Sequence, residues 1–386
     1  MMSELPMDAR SGEPRVLIFS LRNIFGRALF RCPHFEFENV ICDIDSAEIL
    51  APEFEPYSSR SRFALRVAYH APVTLNPGIK TRPAKANYDL FFAVCGGVAS
   101  AYDFLILNAV ANAKDMCRTS VCLIDELWVK QMYKHRHFLR VLEKFDLVML
   151  YYSQTVKPLG EQIGSKCVFL PPGIDAISFC PYPNPLERVI DVFSIGRRSE
   201  ITHQTLLKMA RDRGLFYLHD SLAGNQAINA SDHRALFANV AKRSRYFLVN
   251  PGLVDQPEKR GNQIEIGNRY FEGAASGAIM IGEPPQNEEF EKLFDWPDAV
   301  TPLPFGSSDI DAVIKRLDRD PERQDARRRT GVVQALMRHD WVYRWETILR
   351  HVGLEPMQGA LERKERLRKL ATTVVAQNEL QTAQLV

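Results

Sequence analysis

Asp125 and Glu126 stand side by side at the exit of an apolar run, Ser120–Ile124 (SVCLI). If that run is a buried strand of a parallel sheet, residues at its carboxyl end face the crevice where ligands bind. A carboxylate placed there can take the proton of a hydroxyl nucleophile, which is general-base chemistry. A cap on the following helix is the alternative role for Asp125. His70, His135 and His137 are further candidate bases, although His135 and His137 flank Arg136 in a charged stretch that reads as solvent-facing. Cations gather elsewhere. Arg197 and Arg198 follow Gly196 between a strand-like run (DVFSI) and a helix opening at Ser199. Amides at a helix start attract anions, and a guanidinium can grip two phosphate oxygens at once. Lys259 and Arg260 lie in a Gly/Asn-bearing loop, and Glu272 falls early in a helix read from Asn268, as its cap, to the stop at Gly277. There a carboxylate can accept from the two hydroxyls of a ribose; an exposed acid favoured by the helix dipole is the other reading.

The elements that must position these groups are strands covered on both faces. Arg15–Ser20, Asn39–Asp43, Asp89–Cys95, Ser120–Asp125, Asp146–Tyr152 and Lys166–Leu170 read as buried strands, with helical spacing over Ser100–Ala113 and Val129–Phe145. After a run with five prolines, Pro171–Pro185, a second series begins with Asp191–Ile195, Leu215–His219, Tyr246–Asn250 and Ala278–Gly282. Ile201–Arg213 reads as a helix capped by Ser199 and stopped by Gly214, and the stretch from Ser308 to Val352 is mostly helical. Strands without polar alternation, separated by helices, predict an α/β fold of two Rossmann-like domains facing each other across a cleft. The predicted divisions are 1–170, a linker at 171–189, 190–352 and a helical tail at 353–386. Proline cannot continue a sheet or a helix interior, which makes the run a connector.

Composition narrows the function. The chain has 386 residues, 49 Lys+Arg against 47 Asp+Glu, and a formal charge of +2, so no global field draws it to nucleic acid. No apolar run reaches the roughly 20 residues that span a bilayer. The polar N-terminus lacks a secretory core, and the seven cysteines form no zinc pattern, which together predict buried reduced thiols in the cytoplasm. Gly96–Ser100 (GGVAS) lacks the G-x-G-x-x-G spacing of a nicotinamide site, and no P-loop, H-E-x-x-H or G-x-S-x-G occurs. Asp43 and Asp45 in CDIDS read as a turn, not as a metal site. The tail segment Leu361–Leu370 carries five basic and two acidic residues. It reads as a solvated helix face, with a basic helix resting on an anionic membrane surface as the alternative.

Three stretches carry a family resemblance. Pro171–Pro181 (PPGIDAISFCP) resembles the connector of group-1 glycosyltransferases of the GT-B fold, and Arg269–Gly277 (RYFEGAASG) their R-x-F-E element. His339–Leu349 (HDWVYRWETIL) is similar to the closing helix of the branch related to spore-maturation glycosyltransferases. The resemblance implies a nucleotide-diphosphate sugar held by the second domain. Glu272 would hold the ribose, while Arg197 or Arg198 and Lys259 or Arg260 would hold the diphosphate, beside Arg269 of the matched element. The first domain would supply the acceptor site, for a glycan, lipid-linked sugar or small molecule, and a base at Asp125 or Glu126. No obligatory metal is implied. Two departures stand out. The glutamate expected eight residues before Glu272 is replaced by Ile264, with Glu265 one place late, and the lysine expected after the Gly-Arg pair is absent, with His203 near its place. A nucleotide-sugar epimerase of the same fold and a non-catalytic sugar-nucleotide binder are the alternatives.

Overall fold

The computed structural model describes residues 13–53, 55, 58–70, 75–79, 87–96, 101–133, 136–220 and 226–384; His135 and the stretch 97–100 lie outside them. The first sheet is built from β1 (Val16–Phe19), β2 (Ala47–Leu50), β3 (Tyr88–Cys95), β4 (Cys117–Ile124), β5 (Leu147–Leu150) and β6 (Cys167–Phe169). The second comprises β7 (Ile190–Ser194), β8 (Tyr217–His219), β9 (Ser244–Val249), β10 (Ile279–Gly282) and β11 (Val300–Pro302). Their orders are β2-β1-β3-β4-β5-β6 and β11-β10-β9-β7-β8, and every pairing is parallel. This is the expected α/β architecture of two Rossmann-like units.

Side chains alternate across each strand, and here both faces are buried. Val16, Ile18, Leu90 and Phe92 join one core, while Leu17, Phe19, Phe91 and Ala93 join another on the opposite face. The first of these cores continues into the second sheet through Phe193, Phe247 and Tyr270. Trp341 and Trp345 bridge the two units within it. Phe37 stacks on Trp341 at 4.6 Å between ring centroids, and Phe92 meets Trp345 edge-on at 5.5 Å.

The stretch 39–43 is not a strand. It is part of a helix, Cys32–Ile44, wedged between the units and buried on most sides. Contact on nearly every face removed the polar stripe that marks a helix, leaving an apolar run that reads either way. Asp43 is therefore helical, and Asp45 is not a free turn residue. Asp45 is buried, pairs with Arg15 at 2.7 Å and accepts from Trp345 Nε1 at 2.8 Å. In place of the expected helix over 129–145, the described residues form short helical turns at Val129–Met132, Arg136–Leu139 and Arg140–Lys144. His70 and His137 are exposed. All seven cysteines are free thiols.

The chain crosses between the units at 171–189 and again near residue 340, and the two crossings touch. Ile174 and Asp340 form a parallel bridge: Ile174 N–H donates to His339 O at 3.0 Å, and Trp341 N–H to Ile174 O at 3.1 Å. Arg363, on the final helix Gln358–Gln384, reaches Asp175 at 2.6 Å and Asp340 at 2.8 Å, tying both crossings to the tail. Lys364 pairs with Glu346, so only Arg366, Arg368 and Lys369 of the basic run face solvent. Among the described residues no helix is long and apolar enough to cross a membrane.

Candidate active site

A cleft of about 660 Å³ opens between the carboxyl ends of the two sheets. Asp125 and Glu126 line it from the first unit; Arg197, Arg198, Arg234 and Arg269 line it from the second. It is large enough for a ligand with both apolar and charged parts.

On the first wall, Asp125 follows β4 directly, its N–H bonded to Cys95 O at 2.9 Å. Its Oδ2 lies 2.8 Å from His34 Nε2, and the side chain is 17% exposed. Glu126 Oε1 accepts from Trp128 Nε1 at 2.7 Å. Burial raises the Glu126 pKa, against the hydrogen bond from Trp128, and the neighbouring Asp125 charge adds to the rise.

On the second wall, the strand–turn–helix reading holds. Ser199 Oγ accepts from Thr202 N–H at the head of the helix Glu200–Arg213, and Gly214 stops it in the left-handed region. The turn before it needs Gly196, whose φ of +83° is strained for any other residue. A side chain added there would lie about 4.0 Å from the Arg269 guanidinium, so the turn and Arg269 converge. Arg197 pairs with Asp255 at 2.9 Å and Arg198 with Asp220 at 3.2 Å. Both pairs sit at the surface, where ion pairs contribute little and exchange readily.

Beneath these arginines runs a buried charge relay from one unit to the other. Arg234 donates to Glu36 at 2.6 Å and to Glu272 at 2.5 Å, its guanidinium lying over Phe179 and Phe237. Glu36 also accepts from Trp341 Nε1 at 2.8 Å and from the Asp175 N–H at 2.9 Å. Arg269 donates to the second oxygen of Glu272. Burial opposes the Glu272 charge, but Arg269 and Arg234 outweigh it and hold the carboxyl below its usual range. Burial likewise works against the Arg234 cation, and Glu36 and Glu272 together raise its pKa.

Not every residue singled out from sequence reaches the cleft. Glu272 lies one layer beneath the wall. It is 1% exposed with each oxygen held by an arginine, so in this conformation no ribose hydroxyl reaches it. Lys259 is exposed and Arg260 partly buried, both off the wall, because the short helix Pro257–Arg260 leans on the first unit near Lys130. The sequence reading missed His34, Glu36 and Arg234, which sit on helices far from the motifs and lack any local signature.

Glu265, one place late for the family pattern, has a different task. Its carboxylate accepts from Ser153 N–H and Gln154 N–H of the first unit, each at 3.0 Å, and from Gln263 Nε2 at 2.8 Å. Gln263 also accepts from Val129 N–H at 2.9 Å, so this loop straps one unit to the other. Burial pushes Glu265 up to about 7, against those hydrogen bonds. A carboxyl whose folded pKa is raised stabilises below its ordinary value, and that contribution is lost as pH climbs through the folded one. Glu265→Gln, which does not titrate, is therefore expected to gain on the wild type by up to ~3 kcal/mol between about pH 4 and pH 8. Urea titrations at both ends of that range read the difference; a pH-independent gap refutes it.

With this geometry in hand, residues 198–350 match a family model described as glycosyl transferase-like. No curated protein sequence matches the chain. Among solved structures, HepE of Anabaena in complex with UDP-glucose aligns with a TM-score of 0.52 at 11% identity, covering 88% of this chain and 99% of that one. An α-glucosyltransferase in complex with UDP-glucose and DNA containing an abasic site aligns with a TM-score of 0.50 at 13% identity, covering 89% and 100%. The family match falls on the arginine-bearing half, and the likeness to the solved structures extends over both halves, which shows that the chain has their two-unit GT-B fold.

Proposed function

We propose that the cleft takes a UDP-sugar, with its diphosphate on the Gly196 turn, Arg198 and Arg269, and an acceptor hydroxyl at Asp125. The observation that carries this reading is that four arginines, two of them in surface pairs with Asp255 and Asp220, line one wall opposite the Asp125–Glu126 pair on the other. As the bond from the anomeric carbon to the β-phosphate oxygen breaks, negative charge grows on the diphosphate. Arginines and the dipole of the helix Glu200–Arg213 stabilise that charge where it develops. The acceptor oxygen bonds to the anomeric carbon, and its proton passes to Asp125, whose Oδ1 is not engaged by His34. Glu272 acts from beneath, holding Arg269 and Arg234 in place. Uridine as the base rests on the ligands of the two structural relatives. The seven free thiols favour a reducing, cytoplasmic setting. The outward basic residues of the tail remain the means for any contact with an anionic membrane surface.

Isothermal titration with UDP tests the donor site. Arg198→Ala and Arg269→Ala are each expected to weaken UDP about tenfold or more, since a charge-assisted hydrogen bond contributes about 1.5–3 kcal/mol. Wild-type affinity in both folded variants rejects the placement. Melting shifts with UDP, GDP, ADP and dTDP identify the base, because a ligand at 100 times its Kd stabilises by about 2.7 kcal/mol.

A further inference from the structure

We propose that His34 is the positioning residue for the proton-accepting carboxylate, fixing from below which oxygen of Asp125 meets the acceptor. The inference rests on the reading of Asp125 as the base. His34 belongs to the Cys32–Ile44 helix, is 1% exposed and stays off the cleft wall, so it touches no substrate. Its Nε2 lies 2.8 Å from Asp125 Oδ2. An ionised carboxylate only accepts, so in this pair Nε2 carries the hydrogen and donates. That bond turns Oδ2 inward and leaves Oδ1 toward the cleft.

The other ring nitrogen, Nδ1, is buried and among the described residues is left without a bond. A leucine of similar volume would fill the space without leaving a desolvated acceptor, so packing alone does not account for an imidazole here. What the imidazole alone supplies is one rigid N–H aimed at Asp125. One turn along the same helix, Glu38 is fully buried, accepts from Ser20 Oγ and Arg22 Nη2, and acts electrostatically on His34. Burial raises the Glu38 pKa, and Arg22 works against that rise. Asp125 stands one residue beyond β4, where only its backbone is tied to the sheet. Without the histidine its side chain is free to rotate, and misplacing a reacting group by about 1 Å costs on the order of 10²-fold in rate.

The test measures UDP released from UDP-glucose with water as the acceptor, in His34→Leu, His34→Gln and Asp125→Asn, with melting temperatures as a check on folding. Glutamine places an N–H near the position of Nε2. His34→Leu is expected to lower kcat on the order of 10²-fold with the donor KM unchanged, and His34→Gln to restore kcat to within several-fold of wild type. A wild-type kcat in His34→Leu, equal losses in the two His34 variants, or a loss confined to KM overturns the role. The two readings fail separately. If Asp125→Asn is inactive while His34→Leu turns over normally, only the histidine's role falls. If Asp125→Asn retains wild-type turnover, the base assignment falls and takes this inference with it.

Discussion

Arg234→Ala is expected to destabilise the protein by about 3–5 kcal/mol, the range found when one partner of a buried ion pair is removed. The loss comes less from the missing bonds than from what stays behind. Glu36 and Glu272 are left facing a desolvated gap, and only Trp341, the Asp175 amide and Arg269 remain to compensate them. The pH dependence has a definite sign. A carboxyl held below its ordinary pKa stabilises above that ordinary value, and the contribution disappears as pH falls through the folded value. Glu272 is such a group, so the wild type loses this stabilisation on acidification, whereas the variant has little of it to lose. Urea unfolding at neutral and at acid pH tests both statements. A control removes the charges together: Arg234→Met combined with Glu36→Gln and Glu272→Gln is expected to recover most of the stability, because no buried charge is then unmatched. A neutral Arg234→Ala, or a triple variant worse than the single one, contradicts the account.

Asp125→Asn is expected to lower transfer by roughly 10²–10⁴-fold, the usual contribution of a general base. The substitution preserves shape, and the amide oxygen can still accept from His34, so the donor wall and the fold are left alone. UDP affinity is therefore expected to stay at the wild-type value. Glu126→Gln serves as the comparison. Its Oε1 is already engaged by Trp128 Nε1, which leaves it less free than Asp125 to take the acceptor proton. A loss of less than about tenfold is expected there. If Glu126→Gln is the inactive variant and Asp125→Asn is not, the two residues exchange roles.

Strands with long apolar runs were legible in the sequence, and so were the helix starts that carry their own caps. β3 and β4 are eight residues long with seven and five of them buried, and Ser199 and Gly214 bracket their helix as read. The elements that escaped are short edges. β2 is half-buried along its length, and β11 has three residues ending in proline, so neither shows a continuous apolar signal. Site residues divided in the same way. Asp125, Glu126, Arg197, Arg198 and Arg269 each lie within or just after a recognisable local element, and the structure brings all five to the cleft. Lys259 and Arg260 lie off the cleft wall, and nothing local records that their short helix leans on the opposite unit. Arg234 sits in a helix with several other polar residues and looks like a surface cation until Glu36, 198 positions away, closes on it.

The paired crossings decide how the molecule can open. Because the backbone passes between its halves twice at one place, with Ile174 and Asp340 side by side and Arg363 clasping both, the halves are joined along a single axle. Some contacts away from it are of another kind. Ala227 with Arg27 and Glu265 with Ser153 are polar grips that water can replace, whereas Trp341 and Trp345 at the axle are sunk in apolar packing. Swinging the jaws apart therefore gives up such hydrogen bonds and the packing of Trp128 and Tyr152 against Gly252, while the greasy bearing stays closed.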